Sequence, residues 1–140
     1  MRTTRRVIEL LGITAMVCLC IVPYQAKAAD LDGSTPVLCA FTSALECDSR
    51  SGCEGTTVEN LAVPQFFRID FRNNVITGVQ GGGGRETRIG GFQRLDGKLI
   101  LQGVEIRGWT MVITEKTGKM NLTASGDDEA FVLFGACIPQ

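Results

Sequence analysis

The stretch from Lys98 to Ser125 limits what this chain can fold into more than any other. Residues 98–105, 109–115 and 120–125 each alternate apolar with polar or small side chains, and turn chemistry separates them: Ile106-Arg107-Gly108, then Lys116-Thr117-Gly118-Lys119. A period of two sends successive side chains to opposite faces of a strand. Asp96-Gly97 stands directly upstream, and Asp-Gly is a strong short hairpin signal because both residues tolerate the positive φ that a two-residue turn demands. Three such strands form a meander, which cannot bury its apolar face alone, so the rest of the chain must close over it. On this reading Trp109, Met111, Ile113, Leu122, Phe131 and Leu133 are expected to be buried together, with Thr110, Thr114, Asn121 and Thr123 more exposed.

The remainder supplies further strands. Residues 37–47 place Val37, Cys39, Phe41, Ser43 and Leu45 on one parity. Ala, Leu and Glu would also permit a helix there, but no cap precedes it, and Val, Phe and Thr favour a strand. Asp48-Ser49-Arg50-Ser51-Gly52 is turn chemistry, residues 56–58 read as a short strand, and 59–64 as a connector. Phe67, Ile69 and Phe71 alternate in the next strand, Arg72-Asn73-Asn74 turns the chain, and 75–79 return. A phosphate-binding loop would follow the glycine run 81–84 with Gly-Lys-Ser or Gly-Lys-Thr and a helix. Arg85-Glu86-Thr87-Arg88 stands there instead, so the run reads as a flexible hairpin loop. Residues 87–95 form a weaker strand, softened by Gly90-Gly91, and 130–137 the last one, with Phe131, Leu133, Gly135 and Cys137 on one face. Residues 29–36 read as a loose polar leader. About eight short strands and no 3.6-residue period after residue 28 predict one all-β domain over 29–140, a small antiparallel up-and-down barrel or a closely related sandwich.

Residues 1–28 have the order of a secretory signal. Arg2, Arg5 and Arg6 form a basic start, residues 7–22 are mostly apolar, Pro23 breaks the run, and Ala26-Lys27-Ala28 places small residues at −3 and −1 of a cleavage site after Ala28. An uncleaved anchor is the alternative, but the apolar run is short for a span and Glu9 interrupts it. Cys18 and Cys20 follow Val17 and Leu19, where a lipidation site would want Gly, Ala or Ser. Without this segment, four of the 14 Lys and Arg and one of the 15 Asp and Glu depart, leaving a net charge of about −4. That balance argues against nucleic acid and against an anionic membrane surface, and suits an exported bacterial protein in the periplasm or medium; once the segment is cleaved, no membrane insertion is expected.

Four cysteines then remain, Cys39, Cys47, Cys53 and Cys137. An even number in a small exported domain implies disulfides, with three possible pairings. Cys47 and Cys53 bracket a Ser- and Gly-rich turn, while Cys39 and Cys137 lie on the first and last strands, which are neighbours in a closed up-and-down barrel. The expected pairs are Cys47 with Cys53 and Cys39 with Cys137. A zinc site on Cys39, Cys47 and Cys53 would lack a clear fourth ligand, and the Cys47–Cys53 spacing is not that of a Cys-x-x-Cys redox motif.

Catalytic chemistry is scarce. The chain has no histidine, which removes the commonest general base and any Ser-His-Asp or Cys-His arrangement. Asp70, Glu105 and Glu115 are the carboxylates best placed for acid–base work of the glycosidase kind, yet each reads more naturally as a solvated outward residue. Asp127, Asp128 and Glu129 lack the ligand spacing of a calcium loop. Trp109, beside Arg107-Gly108, is a candidate for the mouth of a ligand site, although a lone tryptophan in a meander is more often core. Asn121-Leu122-Thr123 matches a glycosylation acceptor that matters only in a eukaryotic secretory pathway. No catalytic, cofactor-binding or metal-ligating residue is therefore assigned.

Leu38-Cys39-Ala40, Glu46-Cys47-Asp48, residues 67–70, the run from Gly97 to Glu105, Arg107-Gly108-Trp109 and Phe134-Gly135-Ala136-Cys137 together resemble a family of small exported proteins of proteobacteria without an assigned activity. The resemblance implies export and carries over no site residues; the glycine run at 81–84 departs from the family pattern. The functional expectation is a non-enzymatic binding or accessory protein, without a cofactor, whose partner is a small ligand or an exported protein. The alternatives are a protein inhibitor of exported proteases and, ranked last, a carboxylate-based hydrolase.

Overall fold

The computed structural model describes residues 31–79 and 84–140. The expected signal segment, its cleavage point and most of the glycine run lie outside the described residues. The described chain is all β: β1 (Val37–Asp48), β2 (Gly52–Thr56), β3 (Phe66–Asp70), β4 (Val75–Gly78), β5 (Glu86–Arg88), β6 (Gly91–Leu95), β7 (Lys98–Val104), β8 (Gly108–Thr114), β9 (Lys119–Ser125) and β10 (Glu129–Pro139). Nine of these form one curled sheet in the order β5-β4-β3-β1-β10-β9-β8-β7-β6, and β2 pairs with the outer half of β1.

Every pairing along that order is antiparallel. Its two ends, β5 and β6, therefore run in the same sense, and only Ile89-Gly90 separates them in the chain. They are one strand bent in the middle. Its first part pairs with β4 and its second with β7. The switch occurs at the bend, where the Ile89 N–H donates to the Asn74 carbonyl (2.9 Å) and the Gly90 N–H to the Gln102 carbonyl (2.8 Å). The result is an up-and-down barrel left unlaced along a seam beside the bent strand. Gly90-Gly91 softens this strand as the sequence suggests; the softening takes the form of a corner, which glycine permits within a strand.

Turn chemistry places the hairpins. Asp96 (φ 48°) and Gly97 (φ 71°) both occupy the left-handed region between Leu95 and Lys98, as a two-residue hairpin requires. Asp70 Oδ1 accepts the Arg72 and Asn73 N–H groups and ties the β3–β4 turn. Inward positions then follow the alternation. Phe67, Ile69, Leu99, Leu101, Met111, Ile113 and Leu133 are almost wholly buried, Trp109 and Phe131 are buried beside them, and Leu122 is half-buried against them. Asn121 and Thr123 are exposed, and Thr110 and Thr114 half-buried.

Three expectations need correction. The parity of the first strand does not run through: between Phe41 and Ser43 the register with β10 slips by one residue, so Ala44 is buried and Leu45 exposed. A β-bulge inserts one residue and reverses the faces beyond it; Thr42 is the inserted residue, and its hydroxyl donates to the Phe134 carbonyl (3.3 Å). The second strand starts at Gly52 rather than 56, because Cys53 lies directly opposite Cys47 in the ladder. The leader, from Leu31 onward, is not loose. Leu31 is 6% exposed, Gly33 (φ 80°) sits against the Phe92 ring, and the Gln140 N–H donates to the Pro36 carbonyl. One apolar residue is enough to seat this segment in the core at the far end of the barrel.

Two disulfides staple the fold. Cys39 joins Cys137 across the β1–β10 ladder, and Cys47 joins Cys53 across the β1–β2 hairpin. Stable disulfides belong to an oxidising compartment outside the cytoplasm.

A candidate binding cavity in the barrel mouth

The barrel is filled at one end and hollow at the other. Leu99, Ile113, Ile69 and Met120 occupy the far end, with Leu31 over them. Toward the mouth the lining shortens to Gly78 and Ala124, with the Pro64 ring packed where a Cβ on Gly78 would stand. Trp109 swings over Gly103, its cross-strand partner; a Cβ on Gly103 would lie 2.3 Å from the indole ring. The space left is a cavity of about 290 Å³ whose wall includes Phe41, Phe67, Met111 and Leu133.

The β2–β3 connector forms one side of the opening. Leu61, Ala62, Val63 and Pro64 all line the cavity, and the segment is pinned by the Ala62 N–H to the Glu59 carbonyl, the Phe41 N–H to the Gln65 carbonyl and the buried Val58. In the sequence these residues read as a plain connector. The apolar run Leu-Ala-Val-Pro, inside a link too long for a tight turn, was the signal available.

Polar side chains gather at the rim. Across the seam, Glu105 accepts the Thr87 hydroxyl (2.6 Å) and an Arg85 guanidinium N–H (2.6 Å). The Thr87 hydroxyl first, and the Arg85 guanidinium after it, hold the Glu105 carboxyl below the ordinary carboxylate range. On the other side, Arg107 pairs with Glu129, and its guanidinium carbon lies 4.6 Å from the centre of the Phe131 ring. Two N–H donors, Trp109 Nε1 and Arg107 Nε, are buried without an acceptor among the described residues. Trp109, 9% exposed, is thus both a core residue and part of the cavity wall.

The other sequence candidates do not converge on this cavity. Asp70 is spent on the β3–β4 turn, where the Asn73 side chain and backbone lower its pKa. Glu115 accepts two N–H bonds from Arg94, which lower its pKa. Of the three carboxylates, Glu105 alone lines the mouth. Glu129 is engaged with Arg107. Cys39, Cys47 and Cys53 are consumed by the disulfides, and no group of three His, Cys, Asp or Glu among the described residues is placed to hold a metal ion. Asn121 is exposed on β9. No helix among the described residues is long and apolar enough to cross a membrane.

No family model, curated protein or solved structure matches this chain.

Proposed function

We propose that this chain is an exported bacterial binding protein, periplasmic or secreted, that holds a small, largely apolar ligand in the mouth of its barrel without transforming it. The observation that carries this reading is the apolar cavity of about 290 Å³ left where the inward residues taper to Gly78 and Ala124. Small-molecule sites are concave, mostly apolar and furnished with a few convergent polar groups, and barrel mouths are a usual place for them. The two disulfides and the signal-like residues 1–28 support export. The absence of histidine from the sequence and the engagement of Asp70, Glu105 and Glu115 in stable ionised contacts favour binding over hydrolysis. An inhibitor of exported proteases would present an extended segment; the exposed Cys47–Cys53 hairpin tip is instead curled around Asp48, which accepts the Arg50 and Ser51 N–H groups.

Uptake of the neutral apolar dye N-phenyl-1-naphthylamine tests the reading. The purified protein should bind about one equivalent with enhanced dye emission and energy transfer from Trp109, the sole tryptophan. Absence of saturable uptake, with no small molecule retained in native mass spectra, would exclude a cavity-binding role.

A further inference from the structure

We propose that a second copy of this chain covers the outer face of the β1–β10 ladder, the two copies packing with their strands antiparallel about a two-fold axis. On an antiparallel sheet with one face in water the outward positions are polar, and β9 obeys: Lys119, Asn121, Thr123 and Ser125 face out. β10 does not. Its outward residues are Val132, Phe134, Ala136 and Ile138, so this strand is apolar on both faces, the pattern of a strand covered on both. β1 matches them across the ladder: Leu38 stands opposite Ile138, Ala40 opposite Ala136 and Leu45 opposite Val132. The slip at Thr42 brings Leu45 to this side. Phe134, 42% exposed, lies between these pairs, and Ile138 is 61% exposed. A contiguous apolar stripe of this kind on a folded domain marks an interaction surface.

Two features of the stripe fit a second copy. Phe134 is a knob, and beside it lies a depression walled by Thr42, Thr114, Lys119, Asn121 and Ala136. A two-fold interface sets one patch against itself, so both halves of the contact must sit on the same surface. The ends of the stripe also differ in charge. At the Ile138 end, Arg68 lies opposite Leu38 and Lys119 opposite Ala136. At the Ala130 end, the β9–β10 turn brings Asp127 and Asp128. All four are exposed, and none forms an ion pair among the described residues. With the strands antiparallel, the basic end of each copy meets the acidic end of the other; with the strands parallel, like charges would meet. The stripe is on the outside of the barrel and the cavity on its inside, so this inference stands apart from the ligand-binding reading.

Sedimentation equilibrium of the exported protein, with both disulfides intact, tests this. At about 100 µM it should give twice the mass of one chain, and the mass should fall toward one chain on dilution. Phe134→Asp, a change at an exposed position, should weaken association at least about tenfold. Val104→Asp, at a position 79% exposed on β7, should leave it unchanged. Two charge variants test the orientation. Arg68→Glu with Lys119→Glu, and Asp127→Lys with Asp128→Lys, should each be monomeric where the wild type is a dimer. An equimolar mixture of the two should recover the dimer, because the charges at both end contacts are then opposite again. The wild-type mass decides even where circular dichroism shows that a variant has failed to fold. A wild type that stays monomeric at the higher concentration, or a dimer that Phe134→Asp leaves intact, would overturn the inference. A mixture that stays monomeric would overturn the antiparallel arrangement.

Discussion

Trp109 and Gly103 show how one residue's absence of a side chain sets another's position. They face each other across β7 and β8, and the indole lies where a Cβ on residue 103 would be. The same rows of inward residues make a prediction that separates filled barrel from hollow mouth. Ile113 (0% exposed) belongs to the filled end, whereas Met111 (1% exposed) borders the cavity. Truncating a core aliphatic to Ala costs about 2–5 kcal/mol, depending on how many contacts the removed atoms made. Atoms that border empty space have fewer partners to lose. In chemical denaturation, Ile113→Ala should therefore fall near the top of that range and Met111→Ala near the bottom. Thr110→Ala, on the outer face, should cost well under either. Equal losses at positions 110 and 111 would contradict the assignment of faces.

At the scale of the element, the bent strand formed by β5 and β6 is where the barrel is weakest, because ladder bonds are missing on alternate sides of its corner. Glu105 bridges one gap to Arg85 and Thr87, and the Phe71 and Phe92 rings, with centroids 5.2 Å apart, close the other. The sign of the pH effect follows from the lowered Glu105 pKa. A carboxyl that ionises more readily in the folded state stabilises the fold above its unfolded pKa and loses that contribution as pH falls through its folded value. Asp70 and Glu115 are lowered too and act in the same direction. Thermal melts should thus show wild type losing stability on acidification. Glu105→Gln should melt below wild type at neutral pH, and the gap should shrink steadily as the pH falls below the ordinary glutamate range. A gap of constant size would show that the bridge is not ionic. This element also marks how far the sequence could be read. The meander, the Asp96-Gly97 hairpin and the β3–β4 turn were legible because period-two alternation and turn residues are local signals. The corner at Ile89-Gly90, the slip at Thr42 and the seat of Leu31 were not, because each is decided by what the neighbouring strands present. The cavity was legible only in part: Trp109 stood out as a candidate, but the Leu61–Pro64 side of the mouth lies far from it in sequence.

For the whole molecule, the decisive contact is between the first strand and the last. The meander β6 to β10 returns to β1, so strands from opposite ends of the chain form the longest ladder in the sheet, running from Val37 opposite Pro139 to Asp48 opposite Glu129. Cys39 and Cys137 lie on that ladder, both buried, 98 positions apart in sequence. On the chain-entropy account a cross-link closing about 100 residues contributes up to about 4.7 kcal/mol. It also determines how the domain carries mechanical load. Tension applied at residues 36 and 140 crosses only a few residues on each side before it reaches a covalent bond. Everything from β2 to β9 lies inside the loop and feels none of the pull. Stretched from these points in a single-molecule instrument, the oxidised domain should extend almost not at all. Once both disulfides are reduced, the 98 intervening residue steps should pay out roughly 330 Å of chain, at about 3.3–3.6 Å per residue. A barrel built to be pulled apart from its ends would place this bond elsewhere; this one is a closed shackle, inextensible for as long as its surroundings stay oxidising.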